Sequence, residues 1–371
     1  MKVGYKRLLN FIICTSIILL LTTLIIKTPS RYQNVIFLSL LLIVFNRIFI
    51  IERDRHRYLK DILFEILLFT LTYFVFFYLL GFIVGITKTN YYNLSSIVNI
   101  IIPITLYIIL REILRYNMLC KADGNKNLTI LVVILFILFD IFNSYHFTKF
   151  SNQYELLKFI SLLVLPVIAK NISYSYVSKK MGYKPVIVFE LIFVLYPYLL
   201  PVIPNPNAYI MSVIYLLVPV LFAYKISKFF NLRKDDLIPR DYMKKKFTGI
   251  MLPTIIIIIL VYFYSGYFRY FAIAIASGSM EPKIYRGDIV IVDQKFSNLK
   301  KGDVIAFKQN NIIIVHRIVK IIKYDKSNLY YTKGDANNKM DDFITEKDMI
   351  VGKVKIKLPL IGYPTVWFNR K

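Results

Sequence analysis

Residues 255–264 read Ile-Ile-Ile-Ile-Ile-Leu-Val-Tyr-Phe-Tyr, and residues 277–282, a short way further on, read Ser-Gly-Ser-Met-Glu-Pro. The first stretch ends an apolar run long enough to cross a bilayer, which takes about 20 residues for a hydrocarbon core of about 30 Å. The second is a loop of small and polar residues, and after it the pattern changes. Short apolar segments at 289–292, 304–307, 312–323, 330–332 and 351–357 read as strands. Turn residues separate them, as in Arg286-Gly287-Asp288, Lys301-Gly302-Asp303 and Lys333-Gly334-Asp335. The expected architecture is a polytopic α-helical membrane domain over 1–270, followed by a small mainly-β domain over 271–371. About 100 residues is enough for one small core.

Composition agrees with the first half of that division. The chain is 57% hydrophobic and 19% charged, against about 45–50% and about 25% for a soluble globular chain. This excludes a disordered protein and a conventional cytosolic enzyme. Reading with a bilayer-length ruler, nine spans are expected near 8–26, 35–51, 62–86, 97–110, 128–146, 155–173, 185–203, 208–226 and 248–267. The fourth is short and contains Pro103. The flank of the first, residues 27–31, lacks an A-x-A cleavage site, so this span is expected to be retained.

The net charge of +26 follows from the same topology. With the N-terminus inside, 21 lysines and arginines, Arg111 and Arg115 among them, fall in the inner segments and four in the outer loops. Such a bias marks the cytoplasmic side. The expectation is a multi-pass protein of the cell membrane with a cytoplasmic N-terminus and an extracytoplasmic C-terminal domain. Membrane lipid is then a partner and nucleic acid is not. Glu65, Asp140 and Glu190 lie within reach of span ends, where water would meet them, and no role is assigned to them. Cys14 and Cys120 form no CxxC or Cys/His cluster, so neither a disulfide framework nor a metal or cofactor site is expected.

The chemistry is concentrated after the last span. A serine hydroxyl is a poor nucleophile until a base takes its proton. A neutral histidine can do so at ordinary pH, and a carboxylate on its other nitrogen fixes the tautomer. Ser279, His316 and a choice of Asp335 or Asp341 supply those types, and the residues alone do not decide between the two aspartates. His56 falls in a basic inner loop, and His146 ends the fifth span without the paired glutamates that an intramembrane protease would need.

Ser277-Gly278-Ser279-Met280-Glu281-Pro282 is followed in order by Arg286-Gly287-Asp288-Ile289-Val290, Lys301-Gly302-Asp303-Val304-Ile305, Ile314-Val315-His316-Arg317 and Thr332-Lys333-Gly334-Asp335. The stretch from Gly352-Lys353-Val354 to Pro359-Leu360-Ile361-Gly362-Tyr363 closes the set. This succession resembles the signal peptidase I family, whose nucleophile box is S-x-S-M-x-P. Histidine before Arg317, where the common bacterial branch has lysine, looks like the endoplasmic-reticulum, archaeal and sporulation-type branch. That branch has G-D-N-N with an aspartate six residues after the first; here Ala336 replaces the first asparagine, while Asp335 and Asp341 keep the spacing.

The resemblance implies a membrane-bound serine endopeptidase that removes signal peptides with small side chains at −1 and −3 from preproteins. It implies Ser279 as nucleophile, His316 as base, and an oxyanion hole made by the Ser279 N–H and the Ser277 hydroxyl, each such donor worth on the order of 3 kcal/mol. The run Tyr267-Phe268-Arg269-Tyr270-Phe271 reads as an interfacial aromatic anchor. The multi-span half is unusual for the family; recruiting selected preproteins, contacting the secretion translocon and simple anchoring are its alternatives. Competing readings are a processing peptidase with few substrates, a transporter or receptor with an inactive peptidase domain, and a self-cleaving repressor-type regulator. The last uses a lysine base and a DNA-binding domain, and this chain shows neither.

Overall fold

Peptide groups in an apolar surrounding must be satisfied within the chain, and a helix does so locally. The computed structural model describes residues 2–25, 31–52, 54, 58–89, 94–144, 153–234, 242–309, 312–324, 327–342, 344–363 and 366. The chain separates into two compact units, Met1–Thr254 and Ile255–Lys371. Its long helical segments are α1 (Lys2–Ile25), α2 (Arg31–Ile48), α3 (Leu59–Val84), α4 (Leu94–Lys121), α5 (Lys126–Ser144), α6 (Glu155–Met181), α7 (Tyr183–Leu199), α8 (Ala208–Lys234) and α9 (Tyr242–Tyr264). Among the described residues, five are long and apolar enough to cross a membrane: α3, α4, α6, α8 and the Phe247–Tyr264 part of α9. Of the nine expected spans, these five fall on helices of sufficient length and apolarity. Arg53, Arg55, Arg57, His56, His146, Lys149 and Arg240 lie outside the described residues.

Pro103 and Pro166 do not break their helices. In α4 a π-helical stretch, Ile97–Ile101, lies just ahead of Pro103. In α6 another, Ile160–Val164, lies just ahead of Pro166. Proline lacks an N–H and its ring crowds the carbonyl four residues back; widening the turn before it keeps the helix continuous.

The helical unit has two apolar clusters. Leu8 and Phe11 of α1, Leu38 and Phe45 of α2, Met118 of α4 and Phe136 of α5 belong to one. Ile62 and Ile66 of α3, Tyr174 of α6, Phe189 of α7 and Phe222 of α8 belong to the other, where the rings of Phe189 and Phe222 stack with centroids 3.9 Å apart.

A polar network joins α4 and α5 to α6 and α7, and it corrects two expectations. Arg111 and Arg115 are not loop residues: α4 continues to Lys121, and they are 2% and 0% exposed. Asp140 and Glu190 do not reach water either, being 4% and 2% exposed, and Glu65 is 1% exposed. Arg111 donates to Glu112 at 3.0 Å, to Asp140 at 2.8 Å and to both oxygens of Glu190. Arg115 pairs with Glu112 at 3.2 Å and donates to Asn171 Oδ1 at 2.7 Å, while Asn171 Nδ2 donates to Asp140 at 2.9 Å. Lys170 reaches Asp140 at 2.6 Å. Three cations thus face three carboxylates. The signal that misplaced the arginines was the positive-inside count, which ignores whether carboxylates on other helices can neutralise them.

Removing one partner leaves a buried charge unanswered, which costs about 3–5 kcal/mol. Arg111→Leu is expected to destabilise the purified protein by about that amount, and by more than Lys121→Leu, whose pair with Glu52 is partly exposed. Thermal unfolding in detergent, followed by size-exclusion chromatography, checks this; equal losses for the two variants would contradict it.

The second unit contains a seven-stranded antiparallel sheet. Its strands are β3 (Tyr270–Ala274), β4 (Ile289–Asp293), β5 (Val304–Gln309), β6 (Ile312–Tyr324), β7 (Ser327–Lys333), β8 (Thr345–Glu346) and β9 (Ile350–Leu358), in the spatial order β3-β4-β9-β5-β6-β7-β8. A short pair in the helical unit, β1 (Ile86–Lys88) with β2 (Val202–Pro204), precedes them. Alternation sorts the side chains to opposite faces: Ile305 and Phe307 of β5 join Ile318, Tyr330 and Ile350, whereas Ala306 joins Val290, Val292 and Val315.

Two strands of this sheet escaped the sequence reading. β8 has only two residues, and β3 begins in the last two residues of the aromatic run taken as an anchor. Phe271 is in the core, Phe268 stacks on Tyr262 at 4.3 Å, and Arg269 pairs with Asp293 at 2.9 Å. In the turn before β5, Gly302 has φ +95°, a left-handed conformation that costs glycine little. Asp303 there accepts the Lys300 N–H at 2.9 Å.

Candidate active site

Ser279 lies on the loop after β3. The loop is held at two adjacent residues: Met280 is 1% exposed within the core, and the Ala336 N–H donates to the Ser279 carbonyl at 2.9 Å. The apolar methionine in a run of glycine, serine and proline is therefore the loop's anchor, a role the sequence reading did not assign. Because position 336 contributes its main-chain N–H, alanine serves there as well as asparagine would. Gly334 is required by closeness: a Cβ at that position would sit 2.5 Å from the Ser279 carbonyl oxygen.

His316 is on β6, opposite Ile305 of β5, and is 8% exposed. Its Nε2 lies 3.2 Å from Ser279 Oγ and its Nδ1 lies 2.7 Å from Asp341 Oδ2. With a proton on Nδ1 directed at the carboxylate, Nε2 is left to accept from the serine. The Ser277 hydroxyl is 3.3 Å from Ser279 Oγ.

The structure brings Ser277, Ser279, His316 and Asp341 together and places Asp335 differently. Arg317 follows His316 and so points to the other face of the strand. Its guanidinium donates to both Asp335 oxygens, at 2.7 and 2.6 Å, and to the Gly302 carbonyl at 2.7 Å. The two aspartates left open by the sequence thus divide between neighbouring residues on opposite faces: Asp341 to His316, Asp335 to Arg317. Thr332, fully buried, donates to Asp341 Oδ2 at 2.6 Å; nothing in its spacing alone marked it.

Asp288 and Asp303 are turn residues. Asp288 accepts the Tyr285 and Leu360 N–H groups at 2.9 and 3.1 Å.

The comparisons with known proteins fall on this same part of the chain. Residues 258–355 match the family model described as "Peptidase S24-like". The sequence is similar to the signal peptidase complex catalytic subunit SEC11 of several yeasts. Identity is 36% over 105 residues for Candida tropicalis (strain ATCC MYA-3404 / T1), covering 25% of this chain and 63% of the relative. It is 36% over 109 residues for Zygosaccharomyces rouxii (strain ATCC 2623), covering 26% and 65%, and 37% over 106 residues for Debaryomyces hansenii (strain ATCC 36239), covering 25% and 63%. The chain therefore spans a little under two thirds of the length of these relatives. The C-terminal domain is a peptidase-like domain. It is related to the signal peptidase I family.

The Arg317 guanidinium, through its hydrogen bonds, holds the Asp335 carboxyl below its usual range. An acid with a lowered folded value stabilises the fold above its unfolded value of about 3.9, and loses that contribution as pH falls through the folded value. Asp335→Asn is expected to lower the unfolding temperature at pH 7, with the gap to wild type closing below about pH 4. Thermal unfolding of the full chain as a function of pH measures this, and a gap independent of pH would refute it.

Proposed function

We propose that this chain is a membrane-bound serine endopeptidase of the signal peptidase type, removing N-terminal signal peptides from translocated preproteins. The observation that carries the reading is the relay Ser279–His316–Asp341, with contacts of 3.2 and 2.7 Å. His316 takes the Ser279 proton as Oγ attacks the scissile carbonyl, and Asp341 stabilises the imidazolium that forms. The oxyanion is met by the Ser279 N–H and the Ser277 hydroxyl. His316 then passes its proton to the leaving amine, and an acyl group remains on Ser279. Water, deprotonated by His316, releases the new carboxylate and restores the serine.

Asp335 supports this arrangement from the other side of β6 by fixing Arg317. The helical unit is proposed to cross the cell membrane nine times with a cytoplasmic N-terminus, which puts the catalytic domain outside. The five helices long and apolar enough to cross a membrane, and the basic bias of the inner segments, support a multi-pass topology. Partners are then preproteins with signal peptides, membrane lipid and, by position, the secretion translocon.

Purified protein in detergent, given a preprotein with an A-x-A site, is expected to cut at that site. Ser279→Ala and His316→Ala should each lower kcat/KM at least about 1,000-fold, and Asp341→Asn on the order of 10³–10⁴-fold. Cleavage by Ser279→Ala at the wild-type rate would sink the site assignment. Silence of the wild type on a broad preprotein panel would sink the signal-peptidase reading.

A further inference from the structure

We propose that Thr332 is a positioning residue of this site, holding the Asp341 carboxylate in the plane in which it meets His316; this rests on the serine peptidase reading above. Thr332 stands opposite Ile318 in the β6–β7 register. Directly opposed residues share a face, and Ile318 shares its face with His316 two residues earlier. The threonine side chain is therefore delivered to the same side of the sheet as the imidazole.

The contacts single it out. Thr332 Oγ1 donates to Asp341 Oδ2 at 2.6 Å, the same oxygen that His316 Nδ1 meets at 2.7 Å. The Asp341 N–H in turn donates to the Thr332 carbonyl at 3.0 Å, so one residue fixes both the main chain and the side chain of the aspartate. A carboxylate turns easily about its last bond, where the torsional preference is broad, and a single contact from histidine would leave its plane loose. A second donor on the same oxygen fixes that plane. Since Thr332 is fully buried, no water replaces the hydroxyl if it is removed.

Valine has the shape of threonine without the donor, and serine keeps the donor. In full-length protein in detergent with an A-x-A preprotein, Thr332→Val is expected to lower kcat roughly 10- to 100-fold, the scale of losing a buried hydrogen bond to a charged group. KM should stay within about twofold, since the residue acts on the chemical step rather than on substrate binding. Thr332→Ala, which removes the hydroxyl without adding bulk, should show the same drop, and Thr332→Ser should restore kcat to within about threefold of wild type. In an Asp341→Asn background, Thr332→Val should add little, because its route of action is already gone.

Wild-type kcat in Thr332→Val, equal impairment in Thr332→Ser, or a full multiplicative loss on top of Asp341→Asn would each overturn the inference. Ser279→Ala in the same assay keeps the two claims apart. If it is silent while Thr332→Val runs at the wild-type rate, only the role of Thr332 fails. If it cuts as wild type does, the peptidase reading itself has failed.

Discussion

Charge removed from water must be answered within about 3 Å, because desolvation of an isolated ion costs several kcal/mol even after relaxation. Both units of this chain are organised around that constraint. In the helical unit, Arg111 meets Glu112, Asp140 and Glu190. These partners come from different helices, so neutralising one guanidinium also fixes the order in which α4, α5 and α7 pack. In the β unit, adjacent residues of one strand each take an aspartate, His316 with Asp341 and Arg317 with Asp335. A cooperative polar arrangement of this kind is specific because a half-satisfied version is worse than none.

The two aspartates show why strand alternation matters for chemistry. His316 and Arg317 are neighbours in sequence but opposite in direction. One face of β6 therefore carries the His316 contacts with Ser279 and Asp341, and the other carries an ion pair that ties the Gly334–Ala336 turn to the strand. That turn also holds the Ser279 loop, through the Ala336 N–H on the Ser279 carbonyl. The position of Ser279 relative to His316 thus depends on an ion pair on the opposite face of the strand.

Much of this was legible in the residues. Apolar length and the change to short alternating segments separated a helical part from a β part, and the ordered boxes pointed to Ser277, Ser279, His316 and two aspartates. What was not legible had physical causes. Spacing cannot say which of two aspartates faces a histidine, since that depends on the register of β6 with β7. The burial of Arg111 depends on carboxylates about 30 to 80 positions away in sequence, as the Asp140 and Glu190 contacts show. Thr332 gained its role only from a contact with a residue beyond the end of its own strand. Met280 carried a local signal, an apolar side chain in a polar loop, and it went unread.

The order of strands in the sheet has a consequence for assembly. β9, the last strand in the chain, lies between β4 and β5, two of its earlier strands. Half of the sheet cannot close on the other half until that segment arrives, so the β4–β9 and β5–β9 pairings wait on loop closure over long sequence separations, a slow kind of folding. Ser279 and His316 lie on opposite sides of that gap, the first on the loop between β3 and β4 and the second on β6. A chain still lacking β9 has Ser279 and His316 on separate pieces of sheet, and the contact between them comes into being only with the completed domain.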